Sequence, residues 1–382
     1  MKVLVNAISA KRGGIVTYTQ NMIRWMNAQN IDATFAVPRD FAGDGPNLLR
    51  VNASEYRPLT RLAWEQTVWP AIVARHRPDI LFSSANFGLF YAPAPQVLLI
   101  REGGLLDPFY LANFGPAQGV RVAFLRNWRR QLMLASAGWA SRVVTPSAAM
   151  RDLILGWRPG LEGKIDVCPY GTRGDMFLPR PETRRWCADG TLRLIYVSVY
   201  YPHKNPGVIC QATHKLNEGG LRTQATITMD LDEIAQARGS ALDRILVERA
   251  VATGNVTLGH RHYDELPALY ASHDVFVFPS VSESFGHPMA EAMSTGLPSV
   301  VADTPINREI CGDGALYFNP FSPSDLTACL RQLHNDPTLR ERLSANGRAR
   351  ASSLYRWDDH MERLMAIFEG VMAEKSGARR PT

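Results

Sequence analysis

Two glutamates with seven residues between them, Glu283 and Glu291, carry the strongest chemical signal in this sequence. Before them runs Val275-Phe276-Val277-Phe278-Pro279, an apolar stretch that reads as a buried parallel strand. Between them lies Ser284-Phe285-Gly286-His287-Pro288-Met289-Ala290. Pro288 suits the first helical position, and residues 289–294 can continue as helix. The spacing therefore puts Glu283 in the loop at the carboxyl end of a strand and Glu291 about one turn into the next helix. Backbone N–H groups at such a helix start form a cradle for phosphate, and Gly286 permits close main-chain approach. Two carboxylates beside an anion cradle can hold two hydroxyl-bearing parts of a ligand whose phosphates lie between, which is the shape of a nucleotide-sugar. A glutamate pair at a helix start is more often a cap and a solvated side chain. The neighbouring segments decide between these readings.

Thr295-Gly296-Leu297-Pro298 ends the helix, and Ser299-Val300-Val301-Ala302 reads as the following strand. This strand–loop–helix–strand setting resembles the Glu-x7-Glu motif of the family-4 retaining glycosyltransferases. The likeness continues through Thr304-Pro305-Ile306-Asn307-Arg308-Glu309-Ile310 and Gly314-Ala315-Leu316-Tyr317-Phe318-Asn319-Pro320. It implies the GT-B arrangement, in which two Rossmann-like domains face each other across a cleft. It also implies roles. Glu291 would hold the donor ribose, Glu283 the sugar hydroxyls on the reacting side, and the main chain of Ser284, Phe285, Gly286 and His287 the diphosphate or sugar.

Other segments extend the resemblance. In Tyr200-Tyr201-Pro202-His203-Lys204-Asn205-Pro206, Lys204 takes the place of the cation that neutralises the leaving diphosphate. Relatives carry an arginine a few residues earlier, where this chain has Ser198 or a neighbour, and His203 replaces the arginine usual beside the lysine. The second phosphate contact is left open among His203, Arg12 and Arg173. The turn Lys11-Arg12-Gly13-Gly14 follows the first strand, and Gly13 and Gly14 let backbone N–H groups approach a diphosphate. His260 and Arg261 fall where the family reads the nucleobase. Arg101 and Glu102 stand in place of a His-Asp pair near the donor sugar; Glu102 either contacts a sugar hydroxyl or pairs with Arg101. Val144-Thr145-Pro146-Ser147 and Cys168-Pro169-Tyr170-Gly171-Thr172 match loops at the family's cleft, with Tyr170 where asparagine is usual.

The elements that must position these residues alternate throughout, which argues for parallel sheets covered by helices. Strands are expected at 2–8, 32–37, 79–83, 96–101, 142–145 and 165–168, with helices at 15–28, 59–76, 118–139 and 147–157. A second series follows: strands at 192–198, 223–229, 255–258, 275–278, 299–302 and 315–318. Helices are expected near 205–218, 240–253, 264–272, 288–295, 323–334 and 337–353. The stretch 171–190 is rich in Pro and Gly and marks the boundary. The expected division is an acceptor-side domain at 1–175 and a donor domain at 176–356. A terminal helix at 357–382 crosses back to the first domain, as the resemblance implies.

Composition limits the alternatives. A chain of 382 residues suits two domains of ordinary size. No run of eighteen apolar residues occurs, and residues 1–8 read as a first buried strand rather than a signal peptide. Five scattered cysteines fit neither a disulfide framework nor a metal site and read as small core residues in a cytoplasmic protein. His260 and His262 are too close in sequence for a convincing metal pair, and no Asp-x-Asp lies near a strand end, so neither metal nor cofactor is expected. Residues 1–185 carry 23 Lys+Arg against 13 Asp+Glu, and residues 186–382 carry 19 against 23. A basic first half suits an anionic partner. Arg121, Arg126, Arg129 and Arg130 interleave with Phe124, Leu125, Trp128, Leu132 and Met133. That helix could lie on an anionic membrane at the inner face, or turn its apolar side to the core. Nucleic acid fits less well, because no recognised motif accompanies the charge.

The expected function is transfer of a hexose, mannose slightly ahead of glucose, from a nucleotide-diphosphate sugar to a glycan or lipid-linked hydroxyl acceptor, with retention and without metal. Polysaccharide, lipopolysaccharide or glycolipid synthesis is the expected setting. A nucleotide-sugar 2-epimerase and a non-catalytic nucleotide-sugar or glycan binder share the scaffold and remain alternatives.

Overall fold

Short β-branched and aromatic runs favour strands, and strands buried on both faces need helical crossovers to run parallel. The computed structural model describes residues 1–11, 13–43, 45–179 and 185–377. The chain forms two compact units. The first comprises residues 1–106, 124–169 and 358–382; the second comprises 107–123 and 170–357. The division expected at 175/176 thus falls at 169/170, and residues 107–123 count with the second unit. Residues 180–184, inside the expected boundary stretch, lie outside the described residues, as does Arg12.

In the first unit, strands and helices alternate as β1 (Lys2–Asn6), α1 (Gly14–Ala28), β2 (Asp32–Pro38), β3 (Leu48–Val51), α2 (Pro58–His76), β4 (Ile80–Ser83) and β5 (Gln96–Leu99). The short helix α3 (Pro108–Asn113) lies in the second unit, and α4 (Val120–Trp139) leads back to β6 (Arg142–Thr145), α5 (Ala148–Trp157) and β7 (Ile165–Val167). The seven strands pair in parallel in the order β3-β2-β1-β4-β5-β6-β7. Trp69 and Val73 of α2 are buried with Leu4, Ala36 and Leu81, while Met133 and Leu134 of α4 join Leu98, Val143 and Ile154.

The second unit repeats the plan with β8 (Leu192–Tyr196), α6 (Pro206–Glu218), β9 (Thr223–Ile227), α7 (Leu231–Gln236), α8 (Ala241–Ala252), β10 (Val256–Leu258), α9 (Leu266–Ser272) and β11 (Val275–Phe278). It continues with α10 (His287–Ser294), β12 (Ser299–Ala302), α11 (Pro305–Cys311), β13 (Ala315–Phe318), α12 (Pro323–Asn335) and α13 (Pro337–Leu354). Its six strands are also parallel, in the order β10-β9-β8-β11-β12-β13.

The last helix, α14 (Trp357–Gly377), rejoins the first unit as expected. Met361, Leu364 and Phe368 are fully buried, and Phe368 meets Phe82 at 5.3 Å between ring centroids. His360 is buried too. One ring nitrogen faces the Tyr18 hydroxyl at 3.0 Å and the other the Pro169 carbonyl at 2.9 Å. Burial pushes this imidazole down to about 4, so it is neutral at physiological pH. Among the described residues, no helix is long and apolar enough to cross a membrane.

Candidate active site

In a parallel sheet, side chains beyond the carboxyl ends of the strands gather where the strand order reverses. In the second unit that point lies between β8 and β11, which are adjacent in the sheet although β9 and β10 come between them in sequence. Lys204 follows β8 in a one-turn 3-10 helix, Pro202–Lys204, and Glu283 follows β11. The Lys204 ammonium and a Glu283 carboxylate oxygen stand 2.5 Å apart, with each side chain only 12% exposed. Lys204 is held by its surroundings, since its carbonyl accepts a 2.9 Å hydrogen bond from the Tyr196 hydroxyl. The two loops are also stitched together, Val281 N–H donating to the His203 carbonyl at 3.0 Å.

Glu291 lies on α10, whose start at Gly286 has a left-handed backbone (φ +81°). A Cβ there would meet the Met289 methyl at 2.5 Å and the Phe278 ring at 3.5 Å, so the crowded turn itself requires glycine. Glu291 is buried, accepting a 3.0 Å hydrogen bond from the Tyr270 hydroxyl and a second from Tyr263. Burial pushes its carboxyl up to about 7, and the two phenols act the other way. Phe177 backs both phenol rings, at 5.7 Å from Tyr263 and 5.9 Å from Tyr270.

The remaining residues of the motif divide. Phe285 is 1% exposed and meets Tyr170, His287 and Tyr355 edge-on, so its side chain belongs to the core and only its main chain can serve a ligand. His287 stacks on Tyr170 at 4.8 Å. Ser284 is partly exposed in the loop directly after Glu283. His203 sits between Tyr201, stacked at 5.7 Å, and Tyr110, edge-on at 5.4 Å. Its Nδ1 is buried without a partner, and burial together with the Lys204 charge holds the imidazole well below its usual range. His203 is therefore neutral, able to hydrogen-bond but not to supply positive charge. Arg173 is engaged bidentately by Asp175. Ser198 is tied to Thr228, its N–H donating to that hydroxyl at 2.9 Å.

His260 and Arg261 follow the edge strand β10. The His260 N–H donates to Asp230 and the Arg261 guanidinium to the His260 carbonyl. His260, Asp230 and Glu233, all exposed, bring their ligand atoms within 4.8 Å of one another. Among the described residues, that trio, rather than His260 with His262, is the histidine–carboxylate cluster. In the first unit, Gly13 (φ +67°) precedes α1, and among the described residues beyond the local chain no atom lies within 4 Å of a Cβ built at Gly13 or Gly14. Glu102 pairs with Arg129 at 3.1 Å instead of Arg101, whose N–H donates to Asn86.

Sequence reasoning missed Tyr263, Tyr270 and the segment carrying Tyr110. The two tyrosines stand seven apart, a spacing that puts them on one helical side, and that was the available signal. Tyr110 had none, because α3 is six residues long and its partners are distant in sequence.

The chain matches two family descriptions, "Glycosyl transferases group 1" over residues 188–350 and "Glycosyl transferase 4-like domain" over residues 13–171. It is 26% identical over 271 residues to an MMP alpha-(1->4)-mannosyltransferase of Mycolicibacterium hassiacum, covering 66% of this chain and 62% of that protein. It is 29% identical over 297 residues to the O-antigen chain mannosyltransferase RfbU of Salmonella typhimurium, covering 76% of each. The matched region thus spans less than two thirds of the first relative's length. A solved sucrose-phosphate synthase from Thermosynechococcus elongatus has the same fold, with a TM-score of 0.77 at 17% identity, covering 98% of this chain and 100% of that one.

Proposed function

This chain belongs to the group 1 glycosyltransferases of the GT-B, family-4 type, and from that premise we propose that it transfers a hexose from a nucleotide-diphosphate sugar to a hydroxyl acceptor with retention. The observation that carries the reading is the Lys204–Glu283 pair at the strand-order reversal of the second unit. A cation there can take the charge that develops on a departing diphosphate, and the carboxylate it releases can accept from sugar hydroxyls. Because the lysine and the α10 N–H groups answer that charge, the reading requires no metal. Glu291 is assigned to the donor ribose, with the main chain of Ser284 to His287 completing the phosphate contacts. Two relatives named as mannosyltransferases support mannose, and the O-antigen relative supports polysaccharide or lipopolysaccharide assembly. The acceptor is a glycan or lipid-linked alcohol, and the setting is the cytoplasmic face of a membrane.

Calorimetry with nucleoside diphosphates, beside a transfer assay with the corresponding sugars, tests the assignment. Lys204→Ala should weaken nucleoside diphosphate binding and lower turnover about 10²–10³-fold. Glu283→Gln frees the Lys204 ammonium, so it should keep or tighten nucleoside diphosphate binding while transfer collapses. Wild-type turnover by Glu283→Gln would remove Glu283 from the site, and unchanged affinity in Lys204→Ala would end the phosphate role. Interconversion of the donor with no acceptor present would make the protein an epimerase instead. Turnover should survive EDTA, and the product anomer read by NMR should match the donor.

A further inference from the structure

Glu291 has more acceptor positions than partners. A carboxylate has room for about four hydrogen bonds on its two oxygens, and a buried acceptor left open is costly. Among the described residues no cation pairs with Glu291, and two phenols answer it, the Tyr270 hydroxyl at 3.0 Å and the Tyr263 hydroxyl. The two phenols differ. Tyr270, on α9, is fully buried, and its hydroxyl also lies 3.4 Å from the Pro288 carbonyl, so it ties α9 to α10. Tyr263 is half-buried. It stands in a one-turn 3-10 helix, Tyr263–Glu265, whose start is fixed by the Glu265 carboxylate accepting the His262 N–H at 2.6 Å. Phe177 backs its ring, and Arg173, whose charge acts on the phenol, is engaged by Asp175. A hydroxyl near solvent is thus turned inward onto a buried carboxylate.

We propose that Tyr263 is a specificity-determining positioning residue, whose hydroxyl holds the Glu291 carboxylate so that its remaining acceptor positions meet the cis diol of a ribonucleoside and discriminate against a deoxyribonucleoside. This role rests on the assignment of Glu291 to the donor ribose, and adds to it the group that makes the contact selective. Two phenols leave about two acceptor positions, which match the 2′- and 3′-hydroxyls in number. A ribose lacking one hydroxyl leaves one of those positions buried and unpaired. Fixation comes from two directions, since one phenol belongs to the 3-10 turn and the other to α9. With Tyr270 alone the carboxylate can turn about its own axis, and it loses a donor that favours its charged, accepting form.

Calorimetry of the full chain at pH 8, where the Glu291 carboxyl is ionised, decides the matter with UDP, GDP and their 2′-deoxy counterparts. Wild type should bind its preferred ribonucleotide at least about tenfold more tightly than the deoxy form. Tyr263→Phe keeps the ring against Phe177, so its thermal midpoint without ligand should match wild type. The variant should bind the ribonucleotide about tenfold more weakly and the deoxynucleotide within about twofold of wild type, which closes the gap. In transfer assays its loss should fall on the donor KM with kcat kept, since the contact is remote from the reacting atoms. Equal selectivity in wild type and variant, whether or not both nucleotides weaken, overturns the role of Tyr263 and leaves the donor reading standing. A wild type that binds neither UDP nor GDP, or binds ribo and deoxy forms alike, overturns the ribose assignment and the role of Tyr263 with it.

Discussion

A carboxyl enclosed by two phenols and an aromatic wall has little water to stabilise its charge. Glu291 is in that position, and its folded state holds a proton to about pH 7 while the ordinary value is 4.5. Between those values the native protein keeps a proton that the unfolded chain has released, so raising the pH favours unfolding. The contribution of Glu291 should therefore be intact below about pH 4.5 and fall by on the order of 3 kcal/mol by pH 7. Glu291→Gln removes that slope. Urea unfolding of both proteins across pH 5 to 8 should show the variant gaining on wild type as pH rises, and a constant difference would contradict the buried, titrating carboxyl. The glutamate spacing was legible in the sequence because a strand, a loop and a helix start fix it locally. The phenols that close over Glu291 were not, because Tyr263 and Tyr270 reach it from a different crossover. Likewise His203 could be read as a cation from sequence, whereas burial beside Tyr110, Tyr201 and Lys204 makes it neutral.

At the scale of elements, the turn into α10 combines a left-handed residue with close neighbours. Gly286→Ala adds a Cβ at φ +81° that would collide with Met289. The backbone term and the displaced methionine together should cost about 1–3 kcal/mol. The urea midpoint reads this directly, and an unchanged midpoint would mean that the turn relaxes freely. The longer elements were legible because their apolar periods are long enough to exclude alternatives. All six expected strands of the second unit are present, and the first unit differs by one, β3. Strand β3 has four residues with only Val51 buried, and α3, α7 and α11 have six or seven each. Such pieces are fixed by what they touch rather than by their own pattern. Phe109 and Phe114 of the α3 region, for example, both meet Phe321.

At the scale of the whole molecule, the chain passes between its units four times, near residues 107, 124, 170 and 357, and the stretches of the second unit next to the last two passages pair with each other. Thr172 N–H donates to the Tyr355 carbonyl at 2.7 Å, and Trp357 N–H returns a bond to the Thr172 carbonyl at 3.1 Å. Gly171 makes this approach possible, because a Cβ would stand 2.4 Å from the Arg356 carbonyl and the Trp357 Cα. Backbone on both sides leaves nothing flexible to yield. Gly171→Ala should lower stability by about 3 kcal/mol, read as a drop in the denaturation midpoint; a wild-type midpoint would show that the paired stretches are not closely fitted. The sequence by itself determined the two parallel sheets, the Glu283 and Lys204 loops at strand ends and the final helix, because hydrophobic period and turn chemistry act over a few residues. Only the tertiary structure decided that Lys204 pairs with Glu283, that Glu291 is enclosed, that Phe285 is core and that α4 shows its aromatic side to solvent. Each of these depends on which distant segments exclude water from a side chain, and no local pattern records that.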